Sequence, residues 1–236
     1  TMAFDPTKYQ TSGTSERCMP VVLLLDVSGS MSGDKIDNLY EATVKMIETF
    51  VEEGKKEIPF KLAIITFGDS VECHTRYTDV KDLQNLPRFQ ASGRTPLGTA
   101  LRMAKDMIED RDETKGRWYR PAVVLVSDGQ PNDDFRQPMH DFMQSGRSAK
   151  CQRIAMAIGN DADEQMLKSF VSDPTFYFKA EDAADITAKF NLVTMSVASR
   201  TASKNADDFP GAAPSASRSA SRRATAKTES DDDEYL

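Results

Sequence analysis

Several apolar runs in this chain are too continuous for half-exposed strands and too short for helices. They are "VVLLL" (Val21–Leu25), "IPFKLAIITFG" (Ile58–Gly68), "PAVVLVSDG" (Pro121–Gly129) and "RIAMAIG" (Arg153–Gly159). A strand that is apolar on both sides needs cover on both sides, which a parallel sheet flanked by helices provides. Helical spacing fills the gaps. Ile36, Leu39, Tyr40, Ile47, Phe50 and Val51 repeat across Asp34–Glu53, and Leu97, Ala100, Leu101, Ala104, Met107 and Ile108 share a face across Pro96–Ile108. Further helices are predicted over 135–148, where Pro138 should cause an irregularity, over 162–171, and over 183–197 with Ile186, Phe190, Val193 and Val197 in register.

"TFYFK" (Thr175–Lys179) supplies another strand. "VECHTRYT" alternates instead, which predicts a half-exposed edge strand paired antiparallel with its predecessor across "GDS". The expected fold is a doubly wound α/β, Rossmann-like domain: a mostly parallel six-stranded sheet with one antiparallel edge strand.

Composition sets the limits of that domain. Periodicity holds over 18–199, after an N-terminal extension (1–17). Residues 200–236 are rich in Ser, Ala, Arg and Asp with almost no aliphatics, and are expected to be disordered. A net charge of −7 argues against nucleic-acid binding. No apolar run approaches a bilayer span, and the first twenty residues contain no signal-peptide core. Three scattered cysteines do not make a disulfide framework. Together these predict a cytoplasmic protein without membrane contact.

In such sheets ligands bind beyond the carboxyl ends of the strands, where strand order reverses. Three segments bring oxygen donors to that edge: Asp26-x-Ser28-x-Ser30 after the first strand, Thr95 before the helix at Pro96, and Asp128 after "VVLVS". While the chain stays extended, positions i, i+2 and i+4 project to one side, and Gly29 and Gly33 allow a tight turn afterwards. Carboxylates and hydroxyls favour a hard cation, Mg²⁺ above all, with Mn²⁺ as the alternative. The absence of His or thiolate in these segments argues against zinc. Two aspartates and three neutral hydroxyls leave such an ion short of anionic donors, so an acidic side chain from a partner would complete it.

"DVSGS…T…D" on an α/β domain resembles the metal-ion-dependent adhesion site (MIDAS) of von Willebrand factor A (VWA) domains. All five positions match, and strand order and helix placement agree over roughly Cys18–Val197. "TPLGTAL" and "SDGQP" further resemble the intracellular bacterial tellurium-resistance (TerY-like) type. That resemblance implies a stress-response signalling system encoded beside a protein kinase and a PP2C-like phosphatase, and a non-enzymatic, Mg²⁺-dependent interaction role.

Plainer roles compete for several residues. Ser28, Ser30 and Thr95 are good helix N-caps, and Thr95-Pro96 reads as N-cap followed by Pro at N1. Cys73 and His74 are neighbours on a strand, so they face opposite ways and do not share an ion; Cys73 is assigned to the apolar face. His140 is expected at the surface, and Met103, Met107, Met156 and Met166 in the core. Asp133 and Asp134 in "NDDF" are expected to start the following helix rather than join the site.

In the tail, "SRRAT" places two arginines before Thr225, and "TESD" places an aspartate three residues after Thr228. Both threonines are candidate phosphorylation sites, the second resembling what forkhead-associated (FHA) domains read; a merely solubilising tail is the plainer reading. The competing function is a haloacid-dehalogenase-like phosphohydrolase, with Asp26 as nucleophile and Ser127 at the second strand end. It lacks the acid two positions after the nucleophile, where Ser28 stands. No other catalytic fingerprint appears.

Overall fold

The computed structural model describes residues 17–56, 58–83, 85–114 and 118–212. Strands β1 (Met19–Asp26), β2 (Phe60–Phe67), β3 (Val71–Asp79), β4 (Ala122–Ser127), β5 (Gln152–Ile158) and β6 (Tyr177–Ala180) form one sheet in the order β3-β2-β1-β4-β5-β6. Only β3 runs antiparallel, along β2; the other pairs are parallel. The helices are α1 (Asp34–Gly54), α2 (Leu97–Glu109), α3 (Arg136–Gln144), α4 (Glu164–Phe170) and α5 (Ala183–Ala198).

The continuous apolar strands work as expected, because alternate residues feed two separate cores. Met19, Val21, Leu23 and Leu25 of β1 pack with Leu39, Met46 and Phe50 of α1 and with Ile186, Phe190 and Val193 of α5. Val22 and Leu24 pack against Leu97, Leu101 and Ile108 of α2, Phe142 of α3 and Leu167 of α4. Every residue of β1 is buried. Such two-sided burial, at ~25 cal/mol per Å² of apolar surface, makes this strand the centre of the fold.

Strand order reverses between β1, whose next strand in sequence lies on one side, and β4, which lies on the other. Asp26 ends β1 and Ser127 ends β4, so Asp26 and Asp128 emerge side by side at this switch point.

Several expectations need correction. Pro138 is the third residue of α3, inside the first turn, where its missing N–H is not needed. The helix ends at Gln144, not 148, because Gly146 turns left-handed (φ 75°). β6 begins two residues late because Pro174–Phe176 forms a 3₁₀ turn, fixed by the Asp173 carboxylate accepting from Thr175 N. Cys73 is exposed rather than covered, on the edge strand opposite the point where β2–β3 pairing slips between Leu62 and Ile65, while Val71 and Tyr77 of the same strand do pack on the core.

The domain also runs past 199. Arg200 is 4% exposed, and Ala206 and Phe209 join the core beneath α5. The Arg200 guanidinium donates to Ala206 O, Gln152 Oε1 and Arg120 O. Two well-placed apolar residues and one buried arginine outweigh the segment's polar average. Residues 200–212 are therefore packed on the domain; residues 1–16 and 213–236, with Thr225 and Thr228, lie outside the described residues.

Candidate metal centre

Asp26 is fully buried at the end of β1. Its Oδ1 accepts from Ser28 N at 2.9 Å and its Oδ2 from the Ser127 hydroxyl at 2.6 Å. The first bond turns the chain just after the strand. The hydroxyls of Ser28 and Ser30 then share a hydrogen bond of 3.0 Å, and Ser30 Oγ donates to Asp128 Oδ1 at 2.7 Å. The two aspartates are thus linked through Ser28 and Ser30, by the Ser28 amide at the Asp26 end and by the two hydroxyls from there to Asp128.

Thr95 arrives from a third loop held by backbone packing. Gly29 N donates to Gly93 O, Ser92 N to Val27 O, and Thr95 N to Asn132 Oδ1. A Cβ on Gly129 would stand 3.7 Å from both Ser30 Oγ and Thr95 Oγ1, so these two hydroxyls flank one glycine. The five residues singled out from sequence are therefore brought to one place.

The expected capping roles fail in an informative way. α2 starts at Leu97 with Pro96 at its N-cap, and Thr95 contributes its carbonyl, not its hydroxyl, to Leu97 N and Asn132 N. Ser28 makes no side-chain cap either. Asp133 does cap a helix, but not the one that follows it. Its carboxylate accepts from Gly98 N, Thr99 N and the Thr99 hydroxyl at the start of α2. It is thereby taken out of the site, and the hydroxyls that could have capped are left to the centre.

Three contributors were not singled out for the site from sequence. Ser127 supplies a buried donor to Asp26. Asn132 fixes the Thr95 loop. Lys35, from the first turn of α1, donates to Asp128 Oδ2 at 2.6 Å and to Ser30 O at 3.3 Å. Its one legible signal was a lysine at the positive end of a helix, where cations are disfavoured.

Burial pushes the Asp26 carboxyl above the ordinary aspartate range, against the lowering effect of the Ser127 and Ser28 hydrogen bonds, and the nearby Asp128 adds to the rise. A cation among these oxygens would reverse that balance. The donors fit one: two carboxylates and three hydroxyls are a hard-oxygen set. Among the described residues no three His, Cys, Asp or Glu side chains cluster as a metal site, so any ion held here depends on hydroxyl donors. Ser127, the residue that the phosphohydrolase reading would turn toward a phosphate, is engaged by Asp26.

Among solved structures the chain is similar to proximal thread matrix protein 1 from the mussel byssus, with a TM-score of 0.62 and 17% identity over 76% of this chain and 48% of that one. It is also similar to the same protein described with a zinc-occupied MIDAS motif (TM-score 0.60, 17% identity, 76% and 48%). A third is the ArnB paralog VWA2 from Sulfolobus acidocaldarius (TM-score 0.57, 17% identity, 73% and 44%). The chain spans about half the length of the mussel protein, and at these identities the likeness is one of fold. No curated protein sequence matches. The family model of the von Willebrand factor type A domain matches residues 21–191, β1 through most of α5, and the chain belongs to that family.

Proposed function

We propose that this chain is a non-enzymatic, divalent-metal-dependent protein-interaction module. Asp26, Ser28, Ser30, Thr95 and Asp128 hold the ion, Mg²⁺ by preference, and a partner protein completes it with an aspartate or glutamate side chain. VWA domains serve generally as protein-interaction modules. The observation that supports the reading here is the hydrogen-bonded link from Asp26 through the Ser28 amide and the Ser28 and Ser30 hydroxyls to Asp128, with Thr95 beside it. Only two of the five donors are anionic, so a bound divalent ion keeps affinity for an outside carboxylate.

The mussel relative with zinc at its MIDAS makes the choice of metal an experimental matter. Titrations of the full chain with Mg²⁺, Mn²⁺ and Zn²⁺ should show binding that Asp26→Ala and Thr95→Ala both reduce at least about tenfold while the fold persists. Undiminished binding in Asp26→Ala would overturn the ligand set. Partner capture should then be lost in EDTA.

The narrower setting is supported by "TPLGTAL" and "SDGQP" alone. It is a cytoplasmic, tellurium-resistance-like stress system in which a companion kinase phosphorylates Thr225 or Thr228, a PP2C-like phosphatase reverses it, and an FHA-type domain reads it. Phosphopeptide mapping of the chain after co-expression with its genomic neighbours tests that setting. An unmodified tail beside an active kinase counts against it.

A further inference from the structure

Lys35 is the second residue of α1, at the end of the helix that carries partial positive charge, where an ammonium is placed at a cost. Two aspartates, Asp34 and Asp37, share that first turn. The ammonium is nevertheless turned across to the sheet edge, 2.6 Å from Asp128 Oδ2 and 3.3 Å from Ser30 O. The Asp128 side chain is fully buried and that of Lys35 is 29% exposed, so the pair is shielded on the carboxylate side. Asp128 is thus divided: Oδ1 takes the Ser30 hydroxyl and Oδ2 takes the lysine.

From this geometry we infer that Lys35 is a tethered cation that competes with the divalent ion for Asp128 and sets how tightly the centre holds its metal. The inference rests on the metal reading above. With Asp26 and Asp128 ionised, the lysine halves the negative charge that a metal would meet. A divalent ion among these oxygens has a fixed like charge beside it, in a partly buried site where such repulsion is weakly screened. The loaded centre then carries net positive charge, which favours completion by an acid from outside. Metal uptake and acid binding are coupled through one side chain, which no ligand list would show.

The test uses the full chain and Mn²⁺ alone, followed by loss of the free-ion electron paramagnetic resonance signal at constant pH. K35M should bind Mn²⁺ at least about tenfold more tightly than wild type. K35R, which keeps the charge, should stay within about threefold. In EDTA, K35M should melt below wild type, since the buried Asp128 loses its cationic partner, and should gain more in melting temperature from Mn²⁺. Folding of K35M only in the presence of Mn²⁺ also supports the inference, and K35Q then supplies the affinity measurement. Binding by K35M equal to or weaker than wild type overturns the inference and leaves the metal reading standing. Absence of Mn²⁺ binding by wild type and variants alike overturns the metal reading beneath it.

Discussion

The Ser127 hydroxyl donates to Asp26 Oδ2 across 2.6 Å, and both residues are buried, one ending β4 and the other β1. The bond ties the two strands at the point where sheet order reverses, and it settles which way Asp26 faces. Ser127→Ala removes the donor and leaves a desolvated carboxylate oxygen unpaired. The expected loss is roughly 1–3 kcal/mol of stability, read from urea unfolding. Metal affinity should fall with it, because Asp26 is then free to rotate. A variant of unchanged stability and unchanged affinity would show that Ser127 does not position the aspartate.

Close backbone approach around the centre separates two glycines that look alike in sequence. A Cβ on Gly98 would overlap the backbone at Asp134 O, and would also crowd Phe135 Cα at 2.9 Å. A Cβ on Gly29 would meet only Gly93 O at 3.5 Å, an ordinary contact. Gly98→Ala should therefore cost about 2 kcal/mol or more and weaken the metal site by displacing the Thr95 loop. Gly29→Ala should stay within about 1 kcal/mol of wild type. Thermal unfolding of the two variants side by side checks the contrast. Equal effects would mean that the 93–98 and 128–135 loops are not packed as described.

The sheet was legible in the sequence because β1, β2, β4 and β5 are apolar on both faces, and few architectures bury both. The five candidate ligands were legible because each stands at a strand end or helix mouth with a side chain too small and polar to serve the core. What sequence could not show was where a long side chain or a carboxylate reaches. Lys35 crosses from α1 to Asp128, and Asp133 caps α2 instead of its own helix. Both are contacts between a helix start and a loop far apart in the chain, with no periodicity to betray them. The segment after 199 misled for a different reason. Average composition describes the whole tail, whereas burial there rests on Arg200, Ala206 and Phe209.

A carboxylate away from the centre gives the domain a pH-dependent element. Glu109, at the end of α2, accepts from Arg147 N at 2.7 Å and Ser148 N at 3.0 Å. Burial works to raise its pKa, but the amides of Ser148 and Arg147, together with Lys105, outweigh it and hold Glu109 below the usual glutamate value of 4.5. Because the folded pKa is the lower one, the stabilisation is fully present above the unfolded value and is lost as pH falls through the folded value. Glu109→Gln should cost about 1 kcal/mol near neutral pH, discounted because the side chain is partly exposed. The difference from wild type should shrink steadily below pH 4.5. A gap that stays constant down to pH 3 would assign the effect to packing rather than charge.

Arg200 joins the end of α5 to the N-terminal edge of the sheet, and through it the segment 201–212 becomes part of the domain. Its guanidinium bonds the Gln152 side chain at the start of β5, Arg120 O just before β4, and Ala206 O in the segment itself, while lying 4.5 Å from the Phe209 ring centroid. Asp207 strengthens the closure by accepting from Arg120 N at 2.7 Å. Burial lowers the arginine's pKa to about 10, against the opposing pull of Asp207, so it stays charged at neutral pH and its bonds remain charge-assisted. Arg200→Met keeps much of the length but leaves the buried Ala206 carbonyl, the half-buried Arg120 carbonyl and the Gln152 amide oxygen without this donor. The expected loss is about 3 kcal/mol, together with faster tryptic cleavage at Lys204 as the segment detaches from Phe209's pocket. Arg200→Lys should recover only part of the loss, since one ammonium cannot reach three acceptors in different directions. The metal centre lies at the opposite ends of the strands, so Mn²⁺ affinity should be unchanged in both variants. A fall in affinity matching the fall in stability would mean that the two edges of the sheet are coupled through β4 and β5 more strongly than their packing indicates.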